Sequence, residues 1–274
     1  MTTIGNKHVL ITGGASGLGR RLAGRCAGSG AAVSIWDLDA AGAADAAAEA
    51  AELGAGPVRA YACDVGDAEQ VAARALETVA EQGDVDILVN NAGVVSGRPL
   101  MELSPEHIER TFRVNTLALF WTTQAFLPAM TARGSGHVVT IASAAGLIGT
   151  PRQTDYSASK HAAVGFNEAL RMELKRSAPG VKTTVICPFY IDTGMFHGVK
   201  TRFPLLLPIL KEAHVVERIV RAIQHDTPQV LLPWMVNTLP AMRLLPVWAF
   251  DRAADFFGLT VAMDEFTGRP TTEM

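Results

Sequence analysis

The segment from Tyr156 to Lys160, with the sequence YSASK, carries side chains that can transfer a proton. Tyr and Lys at positions i and i+4 lie on one face of a helix, so the two side chains are expected to be neighbours. A phenol has an ordinary pKa of about 10, and a nearby ammonium stabilises the phenolate and lowers that pKa. The spacing therefore predicts that Lys160 prepares Tyr156 for general acid–base chemistry. Taken alone, such a pair is also typical of a solvated helix face.

Two further polar side chains are expected to support Tyr156. Ser143 follows the apolar run HVVTIA (137–142), which predicts a buried strand, and ligands bind at the carboxyl edge of a doubly wound sheet. The Ser143 hydroxyl can hold the oxygen of an alcohol or a carbonyl compound at that edge. Asn115 lies in a helical stretch, where a polar amide needs a partner. It is a candidate for fixing a water molecule near Lys160.

A glycine-rich loop, TGGASGLG (12–19), follows the first apolar run and opens a helix. Its glycines allow a tight turn, a close approach of the backbone to a pyrophosphate, and close packing of helix and strand. The helix N-terminus offers free N–H groups and the positive end of its dipole to the phosphates. The alternative is a glycine-rich turn without a ligand. The expected dinucleotide contacts in this loop are Gly13, Ser16, Gly17, Leu18 and Gly19.

Asp37 ends the second predicted strand, where a carboxylate can bind the adenosine ribose hydroxyls of NAD. A carboxylate there repels the additional phosphate of NADP, and no Lys or Arg lies at residues 14–16. We therefore expect NAD as the cofactor. A helix N-cap is the structural alternative for Asp37, although Asp39 can fill that role. The ends of the next two predicted strands add five expected cofactor contacts, namely Asp64, Val65, Asn91, Ala92 and Gly93.

The elements that would position these residues alternate along the chain. Near-continuous apolar runs predict strands at 8–12, 32–37, 58–63, 87–90, 137–142, 181–187 and 229–232, and helix-length stretches lie between them. Strands that are apolar on both faces are typical of a parallel sheet, and their alternation with helices predicts right-handed crossovers. The expected fold class is therefore α/β, with a doubly wound, Rossmann-type sheet and helices on both faces.

Composition excludes several classes of protein. The 274 residues fit one large domain, and 49% hydrophobic residues permit a sizeable core. A net charge of −3 without a basic block argues against nucleic-acid binding. Three widely spaced cysteines predict neither a disulfide framework nor a zinc site, and no metal is expected. The cysteine usage, the short polar N-terminus and the lack of a long apolar run favour a cytoplasmic protein.

The combined motifs resemble the short-chain dehydrogenase/reductase family over about residues 5–232. The resemblance implies a Rossmann-type sheet of seven strands and Tyr156 as the catalytic acid–base. It implies that Lys160 also binds the nicotinamide ribose, that Ser143 stabilises the substrate oxygen, and that Asn115 supports the proton relay.

The loop after the sixth strand follows the family pattern only in part. The resemblance implies cofactor contacts from Pro188, Ile191 and Thr193, with the Thr193 hydroxyl directed at the carboxamide. Phe189 stands where a glycine usually follows the proline, which leaves the local path of the chain open. A Phe at this position is expected to help shape the substrate pocket.

Three segments, CPFYIDTGMF (187–196), FPLLLPIL (203–210) and AMDEFTGR (262–269), resemble the branch of retinol dehydrogenases and 17β-hydroxysteroid dehydrogenases. That branch oxidises lipophilic alcohols, so the resemblance implies an NAD-dependent oxidoreductase that interconverts a retinol-, steroid- or long-chain-alcohol-like compound and its carbonyl. A carbonyl reductase working mainly in reverse and a dinucleotide-binding sensor or scaffold without turnover are the alternatives. The intact Ser–Tyr–Lys set argues against the sensor.

Two apolar segments are expected beside the active site of the catalytic domain, which is assigned to residues 1–232. A mobile substrate lid is predicted at about 194–213, with the apolar side chains Met195, Phe196, Phe203, Leu205, Leu206, Leu207, Ile209 and Leu210. The C-terminal extension, 233–274, is rich in Trp, Phe, Leu and Met. Four roles stay open for it: a cover over the substrate pocket, core of the same domain, contact with a partner subunit, or peripheral contact with a membrane. A homodimer or a homotetramer is the expected assembly.

Overall fold

The computed structural model describes residues 1–268; residues 269–274, which end the predicted extension and include the last residue of AMDEFTGR, lie outside the description. Within that range one sheet of seven parallel strands has the order β3-β2-β1-β4-β5-β6-β7. The strands are His8–Thr12 (β1), Ala32–Asp37 (β2), Val58–Ala62 (β3), Ile87–Asn90 (β4), Gly136–Ile141 (β5), Val181–Pro188 (β6) and Gln229–Leu232 (β7). The predicted seven-stranded, doubly wound α/β sheet is confirmed.

The α-helices between and after the strands have the bounds Gly17–Ala27 (α1), Ala40–Ala51 (α2), Ala68–Gln82 (α3), Pro105–Phe112 (α4), Ala118–Ala132 (α5), Thr154–Ser177 (α6), Glu212–Gln224 (α7), Leu239–Met242 (α8) and Val247–Phe256 (α9). Ser104 caps α4, and His107 completes a reciprocal capping box with it. A π-helical turn, Arg113–Leu117, joins α4 to α5.

The sheet separates two hydrophobic cores because successive side chains of a strand point to opposite faces. In β1, Val9 and Ile11 face α1, α2 and α7, whereas Leu10 faces the opposite core with residues of α3, α5 and α6. Both faces are therefore covered, and the loops at the carboxyl ends of the strands remain available for a site.

The part of the C-terminal extension that the structure describes packs at the carboxyl edge of the same domain. Its buried side chains Val236, Leu239, Ala254 and Leu259 form one cluster with Ile148, close to the start of α6. No helix within residues 1–268 is long and apolar enough to cross a membrane. The extension thus has an inner face that belongs to the core of the domain.

Candidate active site

A cleft of about 1500 Å³ runs along the carboxyl ends of the strands. Every residue that the sequence predicts as a cofactor contact lines it: Gly13, Ser16, Gly17, Leu18, Gly19, Asp37, Asp64, Val65, Asn91, Ala92, Gly93, Tyr156, Lys160, Pro188, Ile191 and Thr193. Ser143 also lines the cleft. These residues come from loops far apart in the sequence, and the parallel sheet brings them to one edge.

The glycine loop is packed so closely that side chains have no room at two of its positions. A Cβ atom on Gly13 would lie 2.7 Å from the Ala92 Cα atom, and one on Gly19 would lie 2.2 Å from the Gly13 carbonyl oxygen. Asn91 Nδ2 donates to the carbonyl oxygens of Thr12 and Gly13, 2.9 Å each, and so ties the loop to the end of β4. The exposed backbone and the start of α1 therefore fit a pyrophosphate.

Asp37 is held at the end of β2 by backbone donors. Its Oδ2 atom accepts from Ala15 N at 2.9 Å, and its Oδ1 atom accepts from Asp39 N at 3.0 Å. Asp39, and not Asp37, caps α2, because its side chain accepts from Gly42 N. The alternative that Asp37 serves as the helix cap is therefore wrong, and its carboxylate instead faces the cleft beside the glycine loop.

Asp64 and Val65 form part of the cleft wall just after β3. The Asp64 carboxylate accepts from Gly66 N at 2.8 Å, which fixes its orientation within a tight turn. Val65 is buried and packs in the core on the α3 side of the sheet. Within residues 1–268 no group of three or more His, Cys, Asp or Glu side chains is placed to hold a metal ion.

Tyr156 and Lys160 lie on α6, and both side chains are buried, with 5% and 4% of their surface exposed. Lys160 Nζ donates to the Ile141 carbonyl oxygen at 2.9 Å and lies 5.7 Å from the centre of the Tyr156 ring. The Ser143 hydroxyl hydrogen-bonds with Tyr156, and Ser143 Oγ accepts from Ala145 N at 3.1 Å. The structure thus brings the predicted Ser, Tyr and Lys side chains together.

The electrostatic state of this group differs from the expectation based on spacing. Burial raises the pKa of Tyr156 to about 12, and the hydrogen bond from Ser143 acts in the opposite direction. Burial lowers the pKa of Lys160 to about 8. Desolvation, which disfavours the charged form of each group, therefore dominates both shifts. The predicted lowering of the Tyr156 pKa by the Lys160 ammonium is wrong: the pKa is raised, and the lowering contribution comes from Ser143. Tyr156 holds its proton at neutral pH and can donate it to a substrate oxygen.

Asn115 lies in the π-helical turn, behind the cleft. Its Oδ1 atom accepts from Val94 N at 2.8 Å, and its Nδ2 atom donates to Val94 O at 2.9 Å and to Ser159 Oγ at 3.0 Å. A Cβ atom on Gly93 would lie 3.4 Å from Asn115 Oδ1 and 3.5 Å from Lys160 Nζ, so the amide and the ammonium flank that glycine. The buried amide has the partners that the sequence required, and its part in a proton relay stays a prediction.

An apolar pocket adjoins the cleft, and Ser143, Tyr156, Phe189 and Phe196 line both. Phe189, the departure from the family pattern, therefore does shape this pocket. Sequence reasoning missed most of the remaining lining, because it comes from separate parts of the chain without a shared motif. The missed residues are Ala144, Ala145, Ile148, Thr150, Gln153, Tyr190, Met235, Val236, Thr238, Leu239, Met242 and Leu259. Phe257, which belongs to the aromatic tail that the sequence offers as a cover for the pocket, lines it as well.

The predicted lid contributes less to this pocket than expected. Phe196 and Leu207 line the pocket, and Met195 lines the cleft. Leu205 is 96% exposed, whereas Leu210 is buried in the core beside Ile191. The described part of the C-terminal extension supplies much of the wall that the sequence assigned to the lid.

Comparisons with known sequences cover nearly the whole chain. A family model described as short chain dehydrogenase matches residues 7–202. Epidermal retinol dehydrogenase 2 of Homo sapiens is 42% identical over 265 residues, which are 96% of this chain and 86% of that protein. Retinol dehydrogenase 10 of Homo sapiens is 39% identical, again over 96% of this chain and 86% of that protein.

Solved structures share the same architecture. A short-chain dehydrogenase/reductase from Burkholderia phymatum in complex with NAD has a TM-score of 0.80 and 28% identity, covering 89% of this chain and 95% of that one. An alcohol dehydrogenase from Thermococcus sibiricus complexed with 5-hydroxy-NADP has a TM-score of 0.73 and 26% identity, covering 82% of this chain and 95% of that one. The matched structures thus include complexes with both kinds of nicotinamide cofactor.

Proposed function

The chain belongs to the short-chain dehydrogenase family and is an oxidoreductase acting on CH–OH donors, and from that premise we propose that it is an NAD-dependent dehydrogenase of a lipophilic alcohol. One observation carries the proposal. Ser143 and Tyr156 stand where a cleft of the size and lining expected for a dinucleotide meets an apolar pocket. A hydride acceptor and an apolar alcohol can therefore meet at the only two hydroxyls that line both spaces in the described chain.

The residues present fit a nicotinamide dinucleotide. The glycine loop would hold the pyrophosphate, Asp37 the adenosine ribose, and Lys160 the nicotinamide ribose. When bound, the nicotinamide supplies the acceptor for the hydride of the alcohol carbon. The loop from Pro188 to Thr193, which lines the same cleft, would orient the carboxamide.

Tyr156 and Ser143 handle the proton and the substrate oxygen. The alcohol oxygen would lie between the two hydroxyls, with Ser143 donating to it. Oxidation requires the phenolate form of Tyr156 to accept the alcohol proton, so the proton that Tyr156 carries at neutral pH must first be released to solvent. In the reverse direction Tyr156, which is protonated at neutral pH, donates that proton to the carbonyl oxygen. The same side chains serve both directions, so a carbonyl reductase remains the alternative within this mechanism.

The substrate class is supported by the pocket and by the relatives. Most pocket residues are aliphatic or aromatic, as in sites for apolar ligands. Two relatives that align over 96% of this chain are named retinol dehydrogenases. A screen with NAD should therefore show faster NADH formation with retinol, a steroid alcohol or a long-chain alcohol than with ethanol. NAD binding without turnover of any alcohol would instead favour a sensor or scaffold.

The negative charge of Asp37 favours NAD over NADP. The nearby Arg20 is engaged, since its guanidinium pairs with Glu49 and donates to the Ala15 carbonyl oxygen. Asp37→Asn keeps an acceptor for Ala15 N but removes the negative charge. We expect the ratio of kcat/KM with NAD to that with NADP to fall by about 10-fold or more, because charge-assisted hydrogen bonds contribute about 1.5–3 kcal/mol.

The measurement is NADH or NADPH formation at fixed alcohol concentration. Asp45→Asn is the matched control, because it removes the same charge from an exposed position on α2 outside the cleft. That variant should keep the wild-type ratio. Tighter binding of NADP than of NAD by the wild-type protein would contradict the cofactor assignment.

A homodimer or homotetramer is supported by an apolar surface formed by the end of the π-helical turn, α5 and α6. Leu117 and Phe120 are more than two-fifths exposed, and the Phe120 ring packs edge-on against Phe166 with centres 4.8 Å apart. A helix surface of this kind is typical of subunit contacts. Light scattering of the purified protein should give a multiple of the 29.1 kDa chain mass.

Peripheral membrane contact is supported by the outer face of the C-terminal extension. That face exposes Trp234, Leu244, Val247, Trp248 and Phe256, each at least 59% exposed. The same elements line the apolar pocket with their inner side chains, so a lipophilic alcohol could pass from a membrane into the pocket. The three cysteines are free and buried, which agrees with a cytoplasmic protein at a membrane surface.

Vesicle flotation tests the membrane contact. We expect the wild type to bind phosphatidylcholine–phosphatidylglycerol vesicles, and the double variant Leu244→Ser, Val247→Ser to bind about 10-fold or more weakly, because each buried aliphatic side chain contributes about 1.5–3 kcal/mol. Leu76→Ser, which alters an exposed leucine on α3, is the control and should bind like wild type. Failure of the wild type to float would exclude the contact.

A further inference from the structure

One buried amide interrupts the apolar lining of the substrate pocket. Gln153 is 1% exposed and directly precedes α6, three residues before Tyr156. Gln153 and Tyr156 both line the apolar pocket, so the buried amide borders the same space as the phenol that would contact the reacting oxygen. Burial of a primary amide is costly unless each of its polar atoms has a hydrogen-bond partner.

The partners of Gln153 leave one of its two donor N–H groups weakly satisfied. Its Oε1 atom accepts from the Thr150 hydroxyl at 2.6 Å, which fixes the orientation of the amide. Its Nε2 atom lies 3.2 Å from Met263 Sδ, and a thioether sulfur is a weak acceptor. A carbonyl or hydroxyl oxygen would be a much better partner for the amide N–H groups.

Tyr190 adds a second polar group beside this amide. The Gln153 amide donates to the Tyr190 hydroxyl oxygen, which lowers the pKa of Tyr190, but burial raises that pKa more strongly. The hydroxyl therefore stays protonated and keeps its own proton to donate. The Tyr190 ring packs edge-on against Phe196 with centres 5.1 Å apart, and Phe196 packs in the same way on Tyr156 at 5.8 Å. Gln153, Tyr190 and Tyr156 therefore border one end of the pocket.

We propose that Gln153, assisted by Tyr190, determines specificity by binding a second oxygen of the substrate, close to the reacting carbon. The favoured substrates are then lipophilic alcohols that carry a neighbouring carbonyl or hydroxyl group, such as acyloins or vicinal diols. The inference rests on the proposed dehydrogenase activity and narrows its substrate class. A site built to hydrogen-bond a substrate oxygen disfavours an analogue that lacks it, because the buried group is then left with a poor partner.

The test compares two alcohols that react at the same carbon, decan-3-ol and 3-hydroxydecan-2-one. For each enzyme the ratio of kcat/KM for the hydroxyketone to that for the plain alcohol is measured by NADH formation. Comparing this ratio between variants cancels the intrinsic reactivity of the two compounds. Gln153→Leu should lower the ratio about 3- to 10-fold, the effect expected of one neutral hydrogen bond. Gln153→Met, which keeps the length of the side chain, should lower it similarly.

Met263→Leu is the matched control, because it removes the sulfur partner of Gln153 but leaves the amide in place. Its ratio should equal or exceed that of the wild type. An unchanged ratio in both Gln153 variants would overturn the proposal and leave the dehydrogenase function intact. The same fall in Met263→Leu as in the Gln153 variants would also overturn it, because it would mean that Gln153 only anchors the C-terminal segment. A wild-type enzyme that oxidises retinol or a steroid alcohol but neither of these compounds would also overturn the proposal. One that oxidises no alcohol of the screen would contradict the dehydrogenase function itself, and the role of Gln153 with it.

Discussion

Replacing Tyr156 by Phe is expected to lower turnover at least ~10²-fold, because general acid–base catalysis by a positioned side chain contributes about 10²–10⁴-fold. The Tyr156 hydroxyl is the titratable group that lies beside Ser143 and borders both the cleft and the pocket. Phe keeps the ring that packs edge-on against Phe196. The variant therefore removes the proton-transfer group with little change in the surrounding packing.

The experiment measures NADH formation with the best alcohol of the screen, together with the dissociation constant of NAD. Turnover should fall in Tyr156→Phe, whereas NAD affinity should change by less than about 3-fold, since the cofactor contacts remain. Tyr61→Phe is the control, because the Tyr61 hydroxyl donates to Glu81 on α3 and neither residue lines the cleft. Near-normal turnover by Tyr156→Phe would contradict the role of Tyr156 as the proton-transfer group.

The cofactor cleft was predictable because its signals are local. Apart from Tyr156 and Lys160, which lie on α6, the contacts stand at the carboxyl ends of buried strands or in the segments that follow them, and a parallel sheet brings those ends to one edge. The bounds of β1, β2, β4 and β7 agree with the predicted runs, since apolar residues end there at glycine, aspartate or asparagine or before proline. The glycine loop and Asp37 were therefore enough to predict both where the cleft lies and which chemical groups it presents.

The substrate pocket was not predictable in the same way. Thr150, Tyr190, Met242 and Phe257 belong to four separate segments that meet only through tertiary packing. Hydrophobicity alone made Leu205 a lid candidate, although it is exposed in the structure. The direction of the Tyr156 pKa shift could not be predicted from the sequence either. Desolvation depends on how completely neighbouring residues cover the phenol in the folded protein, and not on the spacing of Tyr and Lys.

Gly19→Ala is expected to distort the cofactor site and weaken NAD binding through one added methyl group. The new Cβ atom would lie 2.2 Å from the Gly13 carbonyl oxygen and 2.6 Å from Asn91 Nδ2, so the loop or α1 must shift. That shift would move the N–H groups that face the pyrophosphate and strain the Asn91 bonds to Thr12 and Gly13. Overpacking of this kind costs about 1–3 kcal/mol of folding stability.

The same displacement should raise the dissociation constant of NAD by about 10- to 100-fold, since each 1.4 kcal/mol of lost binding free energy is about tenfold. Gly165→Ala is the matched control, because Gly165 is exposed on α6 and a Cβ atom there meets nothing within 4 Å. In the control, Ala should raise the free energy of unfolding by about 0.5–1 kcal/mol through its higher helix propensity. The two glycine-to-alanine changes thus have opposite expected signs in thermal unfolding, and only Gly19→Ala should weaken NAD binding in a calorimetric titration. Equal NAD affinity in Gly19→Ala and wild type would mean that the close contact between α1 and the end of β4 does not shape the cofactor site.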